Sequence, residues 1–174
     1  ISLPFGEIDS HADNSGQALG VVEIPAYALM SLEKALVQDN RTVSAVQNEL
    51  GVTLENEMVR VQINPLGQIV SLYHKAAERE CIEVGAAANQ FVLYEDLPAE
   101  NDAWNVDIYY AEKILQMPVA QTISLLENDP LRVKVGIEMH VGQNSHLWQE
   151  ITLTAISSQL EFETRVDWHE EHAF

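Results

Sequence analysis

Leu131, Val133, Val135, Ile137, Met139 and Val141 alternate with Arg132, Lys134, Gly136, Glu138 and His140. A period of two sends successive side chains to opposite faces of a strand, whereas a helix would need apolar residues every third or fourth position. The run therefore predicts a half-buried β-strand, and it limits what the rest of the chain can become. Gly142-Gln143-Asn144-Ser145 follows with turn chemistry, and Leu147, Ile151 and Leu153 resume the alternation, so the two runs predict an antiparallel hairpin. A third strand is expected at once, with Leu160, Phe162, Thr164, Val166 and Trp168 on one face and Glu161, Glu163, Arg165, Asp167 and His169 on the other. On this pattern Trp168 is expected to pack in the core.

The same grammar runs upstream. Val59, Val61 and Ile63 alternate with Arg60 and Gln62 up to Asn64-Pro65-Leu66-Gly67, where Pro presets the second turn position and Gly suits the fourth. Ile69 to Tyr73 is the return strand, and Phe91 to Tyr94 is a short apolar strand ended by Glu95-Asp96 and Pro98. Short strands separated by turn signals predict an all-β fold, an antiparallel β-sandwich. Ala26 to Gln38 breaks the pattern, because Ala28, Leu29, Leu32, Ala35 and Leu36 fall on a helical stripe. A short helix and an extended segment after Pro25 both remain open there.

At 174 residues the chain is one domain long and can bury a core. It is expected to form a single sandwich domain over 1–174, with 1–50 as a lead-in and 51–174 as the sandwich core. The start at Ile1 and the stop at Phe174 read as those of a piece cut from a longer protein. Nine basic residues against 27 acidic ones give a net charge of -18, which repels phosphate backbones and anionic lipid alike, so nucleic acid and membrane are not expected partners. No apolar run is long enough to span a bilayer, and no basic leader precedes an apolar stretch. The lone Cys81 cannot close an internal disulfide, fits a reducing, cytoplasmic location, and is expected to be a small buried hydrophobe.

Chemistry concentrates in Asn101-Asp102-Ala103-Trp104-Asn105-Val106-Asp107-Ile108-Tyr109-Tyr110. Pyranose rings present apolar C–H faces to aromatic rings and hydroxyls to acids, and Trp104, Tyr109, Asp102 and Asp107 supply both from one segment. The plainer alternative has Val106, Ile108 and Tyr110 turned into a core. Paired carboxylates do the work of most glycosidases, and Glu95, Asp96, Asp102, Asp107 and Glu112 cluster here, although a chain with 27 acids makes such clusters by chance. His169-Glu170-Glu171-His172 spaces its histidines three apart, not the four of a zincin, and Asp9 to Gly16 lacks the order of a calcium loop, so no metal site is expected. Phosphate loops, nucleophile elbows and basic-aromatic patches do not occur.

Leu54-Glu55-Asn56-Glu57-Met58-Val59-Arg60-Val61, Gly67 to Lys75, Arg79-Glu80, Asn89 to Pro98, the Trp104 segment and Val166-Asp167-Trp168-His169-Glu170-Glu171-His172 occur in that order. Together they resemble the central to C-terminal β-sandwich region of the glycoside hydrolase family 38 α-mannosidases, over roughly Gly51 to His172. The chain departs from the family at Asn101, where an aromatic often precedes Asp-Ala-Trp, and at Asn105, where Asp often follows. The resemblance implies a mutarotase-like supersandwich lacking the catalytic barrel, which would carry the Asp nucleophile and a zinc-type divalent metal. It implies an intact enzyme that hydrolyses terminal α-linked mannose with retention, and a fragment that is inactive and carries no cofactor. The barrel of the same polypeptide and a mannose-containing glycan would be its partners, with Asp102, Trp104, Asp107 and Tyr109 lining the pocket; self-association stays open. Two rivals remain: a stand-alone carbohydrate-binding module, and a mutarotase-like sugar epimerase using His140 or His146 with a Glu.

Overall fold

The computed structural model describes residues 11–12, 18–98, 100, 104–106 and 108–174. Three short antiparallel ladders stand outside the main sheets. β1 (His11–Ala12) pairs with β2 (Ala18–Leu19), and β3 (Val21–Val22) pairs with β4 (Leu36–Val37), which follows α1 (Leu32–Ala35). The helical stripe at 26–38 thus yields one turn of helix and then a strand. Burial explains the outcome: Ala35 is the buried residue of that turn, while Tyr27, Leu29 and Leu32 are exposed, so no core rewards a longer helix.

A five-stranded sheet runs in sequence order through β5 (Val43–Asn48), β6 (Gly51–Asn56), β7 (Val59–Ile63), β8 (Ile69–His74) and β9 (Arg79–Glu80). The β7–β8 turn is the one the sequence marks: the Gly67 amide donates to the Asn64 carbonyl at 3.0 Å, and Gly67 takes a φ of 81°, which only glycine adopts without strain. The third small ladder joins β10 (Leu93–Tyr94) to β11 (Ile114–Gln116). A four-stranded antiparallel sheet then follows, again in sequence order: β12 (Ala120–Asp129), β13 (Arg132–Val141), β14 (Ser145–Thr154) and β15 (Glu161–Asp167).

The two sheets stack as a sandwich over one core. Val133, Val135, Ile137, Met139 and Val141 of β13 and Leu147, Ile151 and Leu153 of β14 meet Val52, Leu54, Val59, Val61 and Ile63 of the facing sheet. Each such side chain, once fully buried, contributes about 1.5–3 kcal/mol. The all-β sandwich expected from the alternation is the observed fold. Two expectations fail. Trp168 is exposed instead of packed, directly after β15, every residue of which is exposed too. Cys81 is exposed too, placed by its own amide, which donates to the Leu72 carbonyl at 2.9 Å just after the short edge strand β9. Leu93 and Tyr94 alone of the run Phe91 to Tyr94 are strand.

Candidate functional site

In sequence the Trp104 segment is flanked by residues that form a fixed base. Tyr94 of β10, Tyr110 at the start of a 3-10 turn (Tyr110–Glu112) and Phe174 bring their rings together. Tyr94 and Tyr110 meet edge to face at 5.1 Å, Tyr94 and Phe174 stack at 5.4 Å, and Tyr110 and Phe174 lie 5.5 Å apart. Backbone bonds close the base: Tyr94 and Phe174 exchange amide-to-carbonyl bonds of 2.9 and 3.1 Å, and the Asp96 amide donates to the His172 carbonyl at 2.7 Å. Glu95 pairs with Lys113 at 2.8 Å, so this acid braces the base and is not left for chemistry.

The described side chains of the segment between Trp104 and Tyr109 face solvent. Trp104 is 90% exposed and Tyr109 is 58% exposed, with Leu97, Val106 and Ile108 exposed beside them. The core alternative for Val106 and Ile108 therefore fails, since no described layer covers them. Asp102 and Asp107, the two acids expected in the same site, lie outside the described residues.

A second cluster lies beside the base, joined to it by Gln116 of β11, whose side-chain oxygen accepts from the Gly142 amide at 2.6 Å. Gly142 opens the β13–β14 turn with a φ of 65°, and Glu170 fills the space beside it so closely that an added Cβ would come within 2.2 Å of the carboxyl carbon. One Glu170 oxygen accepts from the Asn144 amide at 2.7 Å, the Gln143 amide at 3.0 Å and the Ser145 hydroxyl at 2.9 Å. These donors, the Asn144 amide foremost, hold the carboxyl below the usual carboxylate range. Ser145 Oγ in turn accepts from the His169 amide at 2.8 Å, which locks the segment after β15 onto the turn.

On the outer face of the four-stranded sheet, His140, His146 and Asp167 share one cross-strand row. The imidazoles of His140 and His146 lie 4.0 Å apart, and His146 stacks on Trp148 at 5.7 Å. The acid in that row is Asp167 and not a Glu; it bonds His169 Nε2 at 3.0 Å. Among the described residues no three of His, Cys, Asp and Glu gather closely enough to hold a metal ion, so these side chains do not fit a zinc centre. Farther along the same face, Trp148, Glu150, Glu163 and Arg165 line an open groove of about 370 Å³.

Sequence reasoning singled out Trp104 and Tyr109 but missed the aromatic base and the Glu170 cradle. Glu170 carried a signal, since it sits in the Asp-Trp-His-Glu string beside a Gly-containing turn, but its spacing to the histidines drew attention to metal binding. Phe174 carried none, because nothing local predicts that its backbone returns to Tyr94.

Residues 54–174 match the model of the glycosyl hydrolases family 38 C-terminal domain. Over 99% of its length the chain aligns at 36% identity with alpha-mannosidase 2C1 of Homo sapiens, covering 18% of that protein. It is 38% identical to alpha-mannosidase 2C1 of Mus musculus over 86% of the chain and 14% of the relative. It is 29% identical to alpha-mannosidase G of Dictyostelium discoideum over 91% of the chain and 16% of the relative. The chain thus spans less than a fifth of the length of these curated relatives.

Proposed function

This chain belongs to family 38 of the glycosyl hydrolases, within its C-terminal domain, and from that membership we propose that the intact protein hydrolyses terminal α-linked mannose from oligosaccharides with retention. In this reading the chain supplies neither nucleophile nor metal ligand; a catalytic barrel elsewhere in the polypeptide holds both, including a zinc-type ion. Residues 1–174 form one domain whose task is to pack on the barrel and complete the pocket. The fragment alone is inactive and the enzyme is cytoplasmic, a location favoured by the free thiol of Cys81.

The observation that carries the pocket role is the contrast between base and tip. Three packed rings fix the base, and the nearby indole in sequence, that of Trp104, is almost fully exposed. An indole left almost fully exposed has a use for its face, and a pyranose C–H face is a fitting partner. Trp104 would stack on the sugar, Tyr109 would hydrogen-bond a hydroxyl, and Asp102 and Asp107 would orient hydroxyls or brace the segment. Retention requires a carboxylate close enough to attack the anomeric carbon, leaving a glycosyl-enzyme that water opens on the same face.

Proton NMR of the intact protein acting on an activated α-mannoside tests this reading. The α-anomer of mannose is expected first, before mutarotation. Initial release of the β-anomer would overturn retention, and release from a β-mannoside in place of the α-mannoside would overturn the substrate class.

A further inference from the structure

The open groove on the outer face of the four-stranded sheet is built from two cross-strand pairs, Trp148 opposite Arg165 and Glu150 opposite Glu163. Its volume of about 370 Å³ falls within the range of small-ligand sites, roughly 300–1,000 Å³. A second depression of about 220 Å³ shares Glu150 and Glu163 with it and adds Arg132, Lys134 and Glu161 to the walls. From Arg165 back to Glu161 the strand runs about 13 Å, so the joined groove suits an extended ligand.

Charge narrows the class of ligand. The chain carries nine bases against 27 acids, yet three of the nine, Arg132, Lys134 and Arg165, stand in these walls against three acids, Glu150, Glu161 and Glu163. The groove is balanced on an otherwise acidic protein, so it favours neither a polycation nor a polyanion. Glu150 and Glu163 face each other directly, a pairing of like charges that costs stability on a sheet. Two bases offset that cost and fix the carboxylates: Lys134 Nζ holds Glu150 Oε2 at 2.7 Å, and Arg165 holds Glu163 Oε1 at 2.6 Å. The second oxygen of each carboxylate remains to accept from a hydroxyl. Beside them His146 stacks on Trp148 at 5.7 Å, 21° from parallel, which fixes the indole while Trp148 stays 41% exposed.

We propose that this groove is a second saccharide site, in which Trp148 stacks on a pyranose ring while Glu150 and Glu163 accept from its hydroxyls and Arg165 donates to them, holding a neutral, mannose-containing oligosaccharide. It shares no lining residue with the Trp104 segment. The aromatic face, the fixed acceptors and the balanced charge carry the neutral, polyhydroxylated class of the ligand. The choice of mannose rests on the mannosidase reading. Because the stacking ring and the carboxylates are already held in place, little side-chain freedom is lost on binding.

Fluorine NMR of the intact protein labelled with 5-fluorotryptophan tests this, with a thio-linked α-mannotriose, which resists hydrolysis, as the probe. The Trp148 resonance, identified by its loss in Trp148→Phe, is expected to shift saturably with a Kd of about 1 mM or tighter. Glu163→Gln keeps the shape of the side chain and removes its charge, and is expected to weaken that Kd at least about tenfold. A Trp148 resonance that the trisaccharide does not move would overturn the proposal, and so would an unchanged Kd in Glu163→Gln. A shift with spermidine and none with the trisaccharide would also overturn it, by making the ligand a cation. Release of mannose from a small activated α-mannoside is expected to be the same in Trp148→Phe as in the unaltered protein. That release reports on the mannosidase assignment by itself, so failure of the groove and failure of the assignment are distinguishable.

Discussion

Asn56 Nδ2 donates to the Thr154 carbonyl at 2.8 Å and so ties the end of β6 in one sheet to the end of β14 in the other. The same amide nitrogen donates to the Ser157 carbonyl at 2.7 Å, and Oδ1 accepts from the Met58 and Val59 amides at 2.8 and 2.9 Å. One buried side chain, 4% exposed, therefore closes the β6–β7 turn and holds the sandwich shut along this margin. Truncation to alanine would leave two carbonyls and two amides without these partners. Asn56→Ala is expected to cost about 2–4 kcal/mol. Calorimetry of the intact protein should show the transition that contains this domain moving down in temperature, while an unmoved transition would mean that water replaces the amide at no cost.

The Glu170 cradle predicts an acid sensitivity. Its carboxyl is held below the ordinary value by the Asn144 and Gln143 amides and the Ser145 hydroxyl. A depressed folded-state pKa means that the charged form is the one the fold favours, so this stabilisation is fully present above the unfolded-state value, roughly 4.3, and is lost as pH falls through the lower folded value. Glu170→Gln is expected to lower stability at neutral pH and to flatten the acid limb of the stability profile below about pH 4.3. Thermal unfolding of both proteins across that range reads it directly. Gly142→Ala should act at the same place by a different route, because its Cβ would displace the Glu170 carboxyl.

Tyr110 predicts an effect at a distance. Its two ring contacts, with Tyr94 and Phe174, are worth about 0.5–1.5 kcal/mol each beyond area burial. Tyr110→Ala is expected to loosen the base, lowering kcat/KM of the intact enzyme and speeding amide exchange over residues 104–113. Tyr110→Phe, which keeps the ring, should do neither.

How far the sequence spoke for itself varied with the kind of constraint. The alternation of Leu131 to Val141 predicted β13, the Gly142 turn predicted the hairpin, and Asn64-Pro65-Leu66-Gly67 predicted the β7–β8 turn, because period and turn chemistry are local. Phe162, Val166 and Trp168 show the limit: their pattern marks a core-facing side correctly, but burial needs a covering layer, and the pattern cannot say whether one is present. Ala26 to Gln38 fails for the same reason, since a helical stripe without a surface to pack on becomes one turn. Trp104 and Tyr109 were legible as residue types suited to sugars. The aromatic base was not, because it depends on Phe174 meeting Tyr94 and Tyr110 across a large separation in sequence.

Trp104 bears on the central claim, that the intact protein is an α-mannosidase whose pocket this domain completes. With 90% of the residue exposed, the Trp104→Ala change leaves no cavity behind, so its effect on activity is not confused with unfolding. The deciding measurement is kcat/KM of the intact Trp104→Ala enzyme on an α-mannoside. A fall of at least about tenfold, equivalent to ~1.4 kcal/mol of transition-state binding, is expected. An unchanged kcat/KM would contradict the account and leave the segment a surface feature without a part in catalysis.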